Sequence, residues 1–415
     1  MTTPDSAFFV MPRDGRQWRN AVGLWVTVAG WAAAAARRFG TGWIVTPAEV
    51  VDAAGALSFT EPSAPSSRSR ASGVPETVRT AVKDGRQAVR AACFRRAPVP
   101  AELRGRSPAF VWQHHDLFAR TGGAIAREFG VPLVSYVHAP QVWEAASWGV
   151  HRPGWGPLLE RYGERPALRE SDVVACVSPG VATELRRLGV DEARVVVSPM
   201  AVDAERFRPD AAAGAAVRQE LGLGDGPVVG WVGTFRGFHG VEDLVDAFRA
   251  VATDDDRARL LLVGTGPARE SIEDRVRREG IADRVVFMGG IAHLDMPRQL
   301  AALDVAVASA NPQSGFHYSP QKLREYLACG LATVAPDIGE VPSAVTDGTH
   351  ALLYEPGDVD SLTTKLRELL SSPDERERLG RAGREHVLAT ATWDVRLTEL
   401  LASPAFTAAN RGRDR

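Results

Sequence analysis

The sequence predicts an α/β protein with two doubly wound domains, each built on a parallel sheet. The chain has 415 residues, which is more than a single hydrophobic core usually holds. Short apolar runs alternate with helical segments along most of the chain, as they do in parallel α/β structure. The alternation restarts after a connection near residue 200, so we expect domains at 1–200 and 201–395 and a C-terminal tail at 396–415.

Composition narrows the class of protein and its partners. The formal net charge is −2, whereas a nucleic-acid-binding protein needs a basic surplus or a strong basic patch. The three cysteines, Cys93, Cys176 and Cys329, are scattered and form no Cys-x-x-Cys pair. This pattern argues against a disulfide framework or a zinc site and favours a cytoplasmic location. We therefore expect no nucleic-acid partner and no bound metal.

An apolar run near the N-terminus raises the question of a membrane span. The run from Ala21 to Ala36 has 16 residues, whereas a spanning helix needs about 20. It also lies too far from the first residue for a typical secretory signal. We expect a buried helix over Gln17 to Phe39, with membrane contact at most peripheral.

The other elements follow from apolar runs of strand length and from helical periodicity. The strands predicted in the first half are Ala7 to Met11, Trp43 to Val45, Ala109 to Trp112, Pro132 to Val137 and Val173 to Val177. Those predicted in the second half are Val228 to Val232, Arg259 to Val263, Arg284 to Met288, Val305 to Ser309 and Ala332 to Ala335. The predicted helices include Gly122 to Phe129, Val241 to Val251, Arg269 to Glu279, Met296 to Leu303, Pro320 to Cys329, Val359 to Leu370 and Glu375 to Leu388. Residues Phe59 to Pro75, rich in Ser, Pro and Arg, are expected to form an irregular excursion.

The segment from Gly315 to Gly330 combines several features of an anion-binding site. Ser319 suits a helix N-cap and Pro320 the first helical position, so a helix N-terminus with free N–H groups is expected there. Lys322 falls on the first turn, and only three of the 49 basic residues are lysines. An ordinary capped surface helix has the same signature, so this segment alone leaves both interpretations open.

Glycine-rich turns follow three of the predicted strands in the second domain. The first turn, Gly233 to Gly240, contains Arg236 and His239, which can donate hydrogen bonds to an anionic oxygen. Two further turns, at Gly264-Thr265-Gly266 and Gly289-Gly290, follow the next two strands. Because the carboxyl ends of parallel strands meet at one edge of a sheet, these turns outline a nucleotide-sized shelf. Each turn alone also fits a purely structural role.

In combination, these motifs resemble glycosyltransferase family 4, a large retaining group of the GT-B glycosyltransferases. The similarity covers roughly residues 105 to 395 and runs through Val229 to Gly233, Leu262 to Pro267, Val286 to Gly289 and Glu325 to Gly330. It implies a GT-B fold, in which an N-terminal acceptor-binding domain and a C-terminal donor-binding domain face a central cleft. It also implies a metal-independent glycosyltransferase of the hexosyltransferase type. The donor would be a nucleotide-diphosphate sugar, the acceptor a small molecule or a glycan, and no cofactor would be needed.

The resemblance assigns donor-binding roles to individual residues. Glu325 matches the second glutamate of the family's Glu-x7-Glu motif, which implies hydrogen bonds to the donor ribose. His317 stands where the family has the first glutamate, so the identity of the donor sugar stays open. The backbone of Tyr318 and Ser319 matches positions that contact the diphosphate, and the backbone of Ile291 matches the position that contacts the nucleobase.

The first glycine-rich turn departs from the family pattern. Thr234 and His239 stand where the family usually has Arg and Lys, with Arg236 between them. We hypothesise that Lys322 supplies the missing cation, and that it neutralises the leaving diphosphate together with Arg236 and His239. We also expect Gly233, Gly264 and Gly266 to line the donor site.

In the first domain, a histidine follows a predicted strand and should therefore lie at the ligand-binding edge of the sheet. The family often has a histidine near the position of His138, close to the reacting sugar, so we expect His138 to be catalytic and to orient the donor sugar together with His317. A histidine that only completes the strand end is the alternative. His114, His115 and Glu144 are candidates for acceptor binding. The two adjacent histidines do not have the spacing of a common metal site.

Other functions are compatible with the same motifs. A GT-B sugar epimerase or a phosphorylase would share the fold, although a phosphorylase needs a lysine for pyridoxal phosphate and the chain has only three lysines. The absence of the first glutamate is also compatible with a non-catalytic nucleotide-sugar-binding protein. The sequence leaves the donor base, the donor sugar, the acceptor and the oligomeric state undefined.

Overall fold

The computed structural model describes residues 3–12, 22–56, 75–312 and 319–413. The described residues divide into two compact units. The first unit contains the chain up to residue 199 and again from residue 393, and the second unit contains residues 200–392. The predicted excursion at Phe59 to Pro75 lies outside the described residues except for Pro75 itself.

Seven strands form the sheet of the first unit. They are β1 (Ser6–Val10), β2 (Thr41–Val45), β3 (Val50–Asp52), β4 (Pro108–His114), β5 (Leu133–Val137), β6 (Val173–Cys176) and β7 (Val195–Val197). Their order is β3-β2-β1-β4-β5-β6-β7, and all neighbours are parallel except the β2–β3 pair. Strands β1, β5 and β6 are buried along their whole length, as expected of a parallel sheet that is covered on both faces.

The helices of the first unit cover this sheet. They are α1 (Val22–Phe39), α2 (Ala53–Ala56), α3 (Glu76–Arg96), α4 (Thr121–Phe129), α5 (Gln141–Ser147), α6 (Gly156–Leu159), α7 (Arg165–Glu170) and α8 (Pro179–Arg187), with a π-helical turn at Glu160–Glu164 between α6 and α7. Helix α1 is the part of the predicted Gln17 to Phe39 helix that lies within the described residues, and Val28, Trp31 and Ala35 on it are fully buried. None of the helices in the described parts of the chain has the length and apolar content that crossing a bilayer requires.

Six parallel strands form the sheet of the second unit. They are β8 (Val228–Val232), β9 (Arg259–Val263), β10 (Val285–Met288), β11 (Val305–Val307), β12 (Ala332–Pro336) and β13 (Leu352–Tyr354). Their order is β10-β9-β8-β11-β12-β13. The chain therefore reverses its direction of progress across the sheet between β8 and β11. In doubly wound folds, ligands bind at the carboxyl ends of the strands at this switch point.

The helices of the second unit pack on both faces of its sheet. They are α9 (Ala211–Leu221), α10 (Val241–Val251), α11 (Arg269–Arg278), α12 (Met296–Leu300), α13 (Gln321–Ala328), α14 (Val341–Ala344), α15 (Val359–Ser371) and α16 (Pro373–Thr390). Helix α10 illustrates why these segments are helical. Its apolar residues Val241, Leu244, Val245 and Phe248 recur at helical spacing and are all buried, while acidic residues occupy its first turn.

The described C-terminal residues, 396–413, do not form the separate tail that we expected at 396–415. They form helices of the first unit, where Trp393 contacts Trp31 with ring centroids 5.9 Å apart and Phe406 contacts Phe110 at the same distance. Burial of these aromatic side chains gives the segment a hydrophobic reason to pack there. The two helices are α17 (Trp393–Ala402) and α18 (Pro404–Arg413).

The predicted fold class, two doubly wound α/β domains, is confirmed. Every predicted strand is present, with ends that differ by two residues at most. The strands that we did not predict, β3, β7 and β13, have three residues each and lie at sheet edges. Such short strands carry too few residues to show a periodic pattern.

Candidate functional site

The turns after β8 and β9 in the second unit pack directly against each other. A Cβ atom on Gly264 would lie 1.8 Å from the carbonyl oxygen of Gly233, and one on Gly266 would lie 2.5 Å from the carbonyl oxygen of Phe235. Both Gly264 and Gly266 also have positive φ angles, 139° and 158°. Only glycine fits these positions. The two turns therefore form a narrow backbone shelf at the switch point.

Lys322 points into this shelf from the first turn of α13. Its Nζ lies 4.5 Å from the centroid of the Trp231 ring, and a Cβ atom on Gly233 would lie 2.9 Å from it. The Nζ atom is buried and has no hydrogen-bond partner among the described residues. Burial lowers the pKa of Lys322 to about 7, although the negative charge of Glu325 acts to raise it. An ammonium group that has lost its hydration without gaining a hydrogen bond favours an anion at this point.

Glu325 lies one turn further along α13, and its carboxylate is held in place. Oε1 accepts hydrogen bonds from Nε2 of His293 at 2.7 Å and from Nε2 of Gln321 at 2.9 Å. The His293 ring in turn packs on Phe207, with centroids 5.1 Å apart. His293 was not among the predicted site residues, because a lone histidine after a glycine-rich turn belongs to no motif. Its position two residues after Ile291 was the available signal.

The start of α13 differs from the predicted N-cap. The Ser319 hydroxyl donates to Oε2 of Glu340 at 3.0 Å and accepts from the backbone N–H of Met200 at 3.2 Å. Arg324 also pairs with Glu340, so a buried ion pair fixes this end of the helix. The predicted N-cap role of Ser319 is wrong, because the Glu340 carboxylate takes the hydroxyl and the helix begins at Gln321 without a side-chain cap.

A tyrosine joins α13 to the end of β8. The hydroxyl of Tyr326 accepts a hydrogen bond from the backbone N–H of Val232 at 2.8 Å, and Tyr326 is fully buried. Burial raises the pKa of Tyr326 far above its usual range, so the hydroxyl stays protonated. This bond keeps the helix that carries Lys322 and Glu325 in register with the turn that begins at Gly233.

The remaining predicted groups of the first turn differ in their exposure and charge. Thr234 and Arg236 are exposed. His239 is half-buried between Trp231 and Phe238, whose ring centroids lie 5.9 and 4.3 Å away. Burial, reinforced by Lys322 and Arg236, lowers the pKa of His239 to about 2. His239 is therefore neutral at physiological pH and can donate a hydrogen bond but carries no charge.

Of the three remaining donor-site candidates, only Ile291 lies within the described residues. Ile291 is half-buried and follows the exposed pair Gly289-Gly290 at the end of β10. His317 and Tyr318 lie outside the described residues.

In the first unit, His138 lies at the carboxyl end of β5 in a small polar cluster. Its Nδ1 is 3.1 Å from Nε2 of His114, and its Nε2 is 3.5 Å from Oγ1 of Thr27. Burial lowers the pKa of His138 to about 4, although the nearby Glu144 carboxylate opposes the shift. His138 is therefore a neutral imidazole near pH 7, able to exchange hydrogen bonds with a sugar hydroxyl.

His115 points away from this cluster, toward a buried glutamate. Its Nε2 lies 3.4 Å from Oε1 of Glu164, and the same oxygen accepts the backbone N–H of Gln141 at the start of α5. Both His115 and Glu164 are buried, so this pair fixes the chain after β5 rather than facing solvent. Within the described residues, no group of three or more His, Cys, Asp or Glu side chains is arranged to hold a metal ion.

Comparison with known proteins identifies the family. The profile of the family described as "Glycosyltransferase Family 4" matches residues 59–206, and that of "Glycosyl transferases group 1" matches residues 226–372. The chain is 29% identical over 336 residues to the GDP-mannose-dependent alpha-(1-6)-phosphatidylinositol monomannoside mannosyltransferase of Mycolicibacterium smegmatis. The aligned region covers 79% of this chain and 87% of that protein. It is 30% identical over 292 residues to the 2-deoxystreptamine glucosyltransferase of Streptomyces kanamyceticus, which spans 68% of this chain and 74% of that protein.

A solved structure shows the same fold. The structure of sucrose-phosphate synthase from Thermosynechococcus elongatus superposes with a TM-score of 0.67 at 22% identity, covering 97% of this chain and 100% of that one. The two doubly wound units thus have the GT-B fold. The chain belongs to glycosyltransferase family 4 and is a glycosyltransferase. The comparisons do not favour an epimerase, a phosphorylase or a non-catalytic binding protein.

Proposed function

We propose that the protein transfers a sugar from a nucleotide-diphosphate donor to a hydroxyl acceptor with retention of the anomeric configuration. The observation that carries this proposal is the buried ammonium of Lys322 beside the Gly233 turn, at the switch point of the second unit. A diphosphate seated there would accept hydrogen bonds from Lys322 and from backbone N–H groups, so its charge would be stabilised as the glycosidic bond breaks. Exposed Arg236 can add a second cation from the same turn.

Glu325 is the group that we assign to the nucleoside. A carboxylate accepts hydrogen bonds from two vicinal hydroxyls, and His293 and Gln321 hold this one in a fixed orientation through Oε1. Because Oε1 already accepts two hydrogen bonds, we assign Glu325 to binding rather than to nucleophilic attack. The proposed reaction then needs no protein nucleophile. The leaving phosphate oxygen takes the proton of the attacking hydroxyl on the same face of the sugar, which retains the configuration.

The first unit is assigned to the acceptor, and His138 to the reacting sugar. His138 is held by His114 and Thr27, and its neutral imidazole can bond a hydroxyl without adding charge. We propose no metal and no cofactor for this chemistry. We also propose that it takes place in the cytoplasm, since Cys93, Cys176 and Cys329 are all free thiols.

A panel of nucleotide sugars tests the proposal. The two relatives named above differ in sugar and acceptor, so the panel should include GDP-mannose and UDP-glucose, each with lipid, aminocyclitol and glycan acceptors. Acceptor-dependent release of nucleoside diphosphate supports transfer, and the anomeric coupling constant of the product by NMR reports the stereochemistry. An inverted product contradicts retention. Donor binding without turnover across the panel contradicts transfer.

A Glu325→Gln variant tests the assignment of the nucleoside site. The amide keeps the size of the side chain but removes the charge, so hydrogen bonds from ribose hydroxyls should weaken by roughly 1.5 kcal/mol or more. We expect the KM for the donor to rise roughly tenfold with little change in kcat. Glu355→Gln, at an exposed position of the same unit, is the matched control.

A further inference from the structure

Helix α3 of the first unit presents an apolar stripe to solvent. Val78, Val82 and Val89 are separated by four and seven residues, so they lie on one side of the helix. Their exposed fractions are 48, 48 and 64%, which are high values for valine. Isolated exposed apolar residues are common, but these three line one side of a single helix and form a valine stripe, with Gly85 and Arg86 between Val82 and Val89.

A buried carboxylate fixes the direction in which this stripe faces. Asp84 accepts hydrogen bonds from Nε and Nη2 of Arg152 at 2.9 and 3.1 Å, and from Nε1 of Trp155 at 3.1 Å. Asp84, Ala91 and Phe94 form the buried side of α3. At 100° per residue, Val82 lies roughly 200° from Asp84, so the anchored side and the valine stripe are on opposite sides of the helix.

A second stripe of cations runs beside the valines. The exposed residues Arg79, Lys83 and Arg90 each follow one of the three valines directly, and exposed Arg86 lies between Lys83 and Arg90 at helical spacing. The exposed surface of α3 therefore carries the valine stripe and, beside it, a row of positively charged side chains. The chain as a whole has a net charge of −2, so this concentration of positive charge is local and is not a property of the overall composition.

We propose that α3 docks the protein on the surface of a membrane that carries anionic lipids. A helix that lies in a lipid headgroup region needs an outward apolar strip to insert and neighbouring Lys and Arg side chains to attract acidic headgroups, and α3 offers both. The positive charge of α3 disfavours a second copy of the chain as the occupant, because two such faces would bring like charges together. In this arrangement the helix lies along the membrane surface, so the proposed binding is peripheral.

The position of α3 also indicates what docking achieves. The helix lines an open groove of about 1050 Å³ that extends to Pro12, Pro47 and Asp116, just beyond the carboxyl ends of β1, β2 and β4. A lipid held against α3 would bring its headgroup to this edge of the sheet, where ligands of parallel α/β domains bind. The acceptor is then a hydroxyl on an anionic lipid, a step that rests on the proposed transfer reaction.

Vesicle sedimentation with the full chain tests the docking step. The probes are vesicles of phosphatidylcholine alone and of phosphatidylcholine mixed with phosphatidylglycerol, at low and high salt. We expect binding to the mixed vesicles that weakens with salt. Arg79→Gln combined with Arg86→Gln and Arg90→Gln should weaken it roughly 100-fold, at about fivefold per cation. Replacing the three valines by serine should weaken it roughly tenfold through lost apolar burial.

Matched controls separate this surface from general effects of substitution. Arg208, Arg278 and Arg381 are exposed arginines of the second unit, and their replacement by glutamine should leave vesicle binding unchanged. Circular dichroism and thermal midpoints verify that each variant is folded. The proposal is overturned if the wild-type protein does not bind the mixed vesicles, or if it binds vesicles of pure phosphatidylcholine equally well. Loss of vesicle binding in the control variant, equal to the loss in the α3 variants, would also overturn it. A dimer in solution that dissociates when α3 is altered would show instead that a second copy occupies this surface.

Donor binding in solution keeps the two proposals distinguishable. It is measured by calorimetry with the nucleotide sugar that the wild-type chain binds, in the absence of vesicles. If the protein binds vesicles but no donor, the proposed transfer function is contradicted and the docking proposal is supported. Donor binding and transfer to soluble acceptors, without vesicle binding, removes the docking proposal alone.

Discussion

Replacing Lys322 by methionine isolates the contribution of its charge to donor binding. Methionine has a similar length and can still pack on Trp231, but it offers no charge and no hydrogen-bond donor. The wild-type Nζ is buried without a hydrogen bond among the described residues, so its removal should not lower the thermal midpoint. Any loss of donor affinity in this variant then reflects the contact with the donor rather than damage to the fold.

The expected magnitude follows from the environment of the ammonium group. A hydrogen bond to a charged partner contributes about 1.5–3 kcal/mol, and each 1.4 kcal/mol is a tenfold change in affinity, so the donor Kd should rise roughly 10- to 150-fold. The Trp231 ring and the Gly233 backbone exclude water from the ammonium group, which places this contact toward the upper part of that range.

The pKa of Lys322, about 7 in the free protein, adds a pH dependence with a defined sign. A bound diphosphate favours the ammonium form, so the pKa must be higher in the complex than in the free protein. Below about pH 7 the free protein already carries the proton, and affinity is at its maximum. Above it, binding must take up a proton, so the donor Kd rises by up to tenfold per pH unit until the pKa of the complex is reached.

Isothermal titration calorimetry with the intact nucleotide sugar, and no acceptor, measures both effects. Titrations from about pH 6 to about pH 9, in buffers of different ionisation heat, give the affinity and the number of protons taken up. The Lys322→Met variant should bind weakly at every pH and take up no proton, while Lys365→Met, on α15, should behave as the wild type. Wild-type affinity in Lys322→Met, or a flat pH profile in the wild type, refutes the reasoning.

Two further substitutions test the scaffold around Lys322. Gly233→Ala places a Cβ atom 2.9 Å from Nζ of Lys322, so it should displace the ammonium and raise the donor Kd severalfold. Gly412→Ala, on α18 of the first unit, where a Cβ would meet nothing within 4 Å, should leave calorimetric affinity unchanged, and equal losses in both variants would contradict the packing argument. Tyr326→Phe leaves a buried backbone N–H without its acceptor, so the free energy of unfolding should fall by about 1–3 kcal/mol in denaturant titrations. Tyr162→Phe, at a side chain that is 60% exposed, is its control and should change stability by less than about 0.5 kcal/mol; a matching loss there would remove the hydrogen bond as the cause.

Much of the fold was predictable because its strands are buried and its helices amphipathic. The strand at Val228–Val232 and the helix at Val241–Val251 have the predicted bounds, since an apolar run and a regular stripe each identify an element directly. Helix α3 was not predicted for the opposite reason. Three of its valines face solvent and its buried side contains the charged Asp84, so its sequence shows no regular apolar stripe that points to a core.

The candidate site was predictable in its parts but not in its connections. The glycine-rich turns, and Lys322 as a cation on the first turn of the helix, follow from motif positions. The partners that determine behaviour come from distant segments: His293 bonds Glu325 across 32 positions, and Glu340 takes the hydroxyl of Ser319 across 21. The neutral state of His239 likewise depends on burial among aromatic rings, which no local pattern of residues reveals.

The return of the C-terminal helices to the first unit bears on how the chain is made. Trp393 contacts Trp31 and lies so close to Gly30 that a Cβ there would come within 2.2 Å of the indole nitrogen, and Asp394 pairs with Arg37 at 2.6 Å. The first unit therefore lacks part of its core until residues 393–413 have been synthesised, whereas the described residues of the second unit form one continuous stretch, 200–392. During synthesis, the first unit can complete its core only after the second unit has been translated.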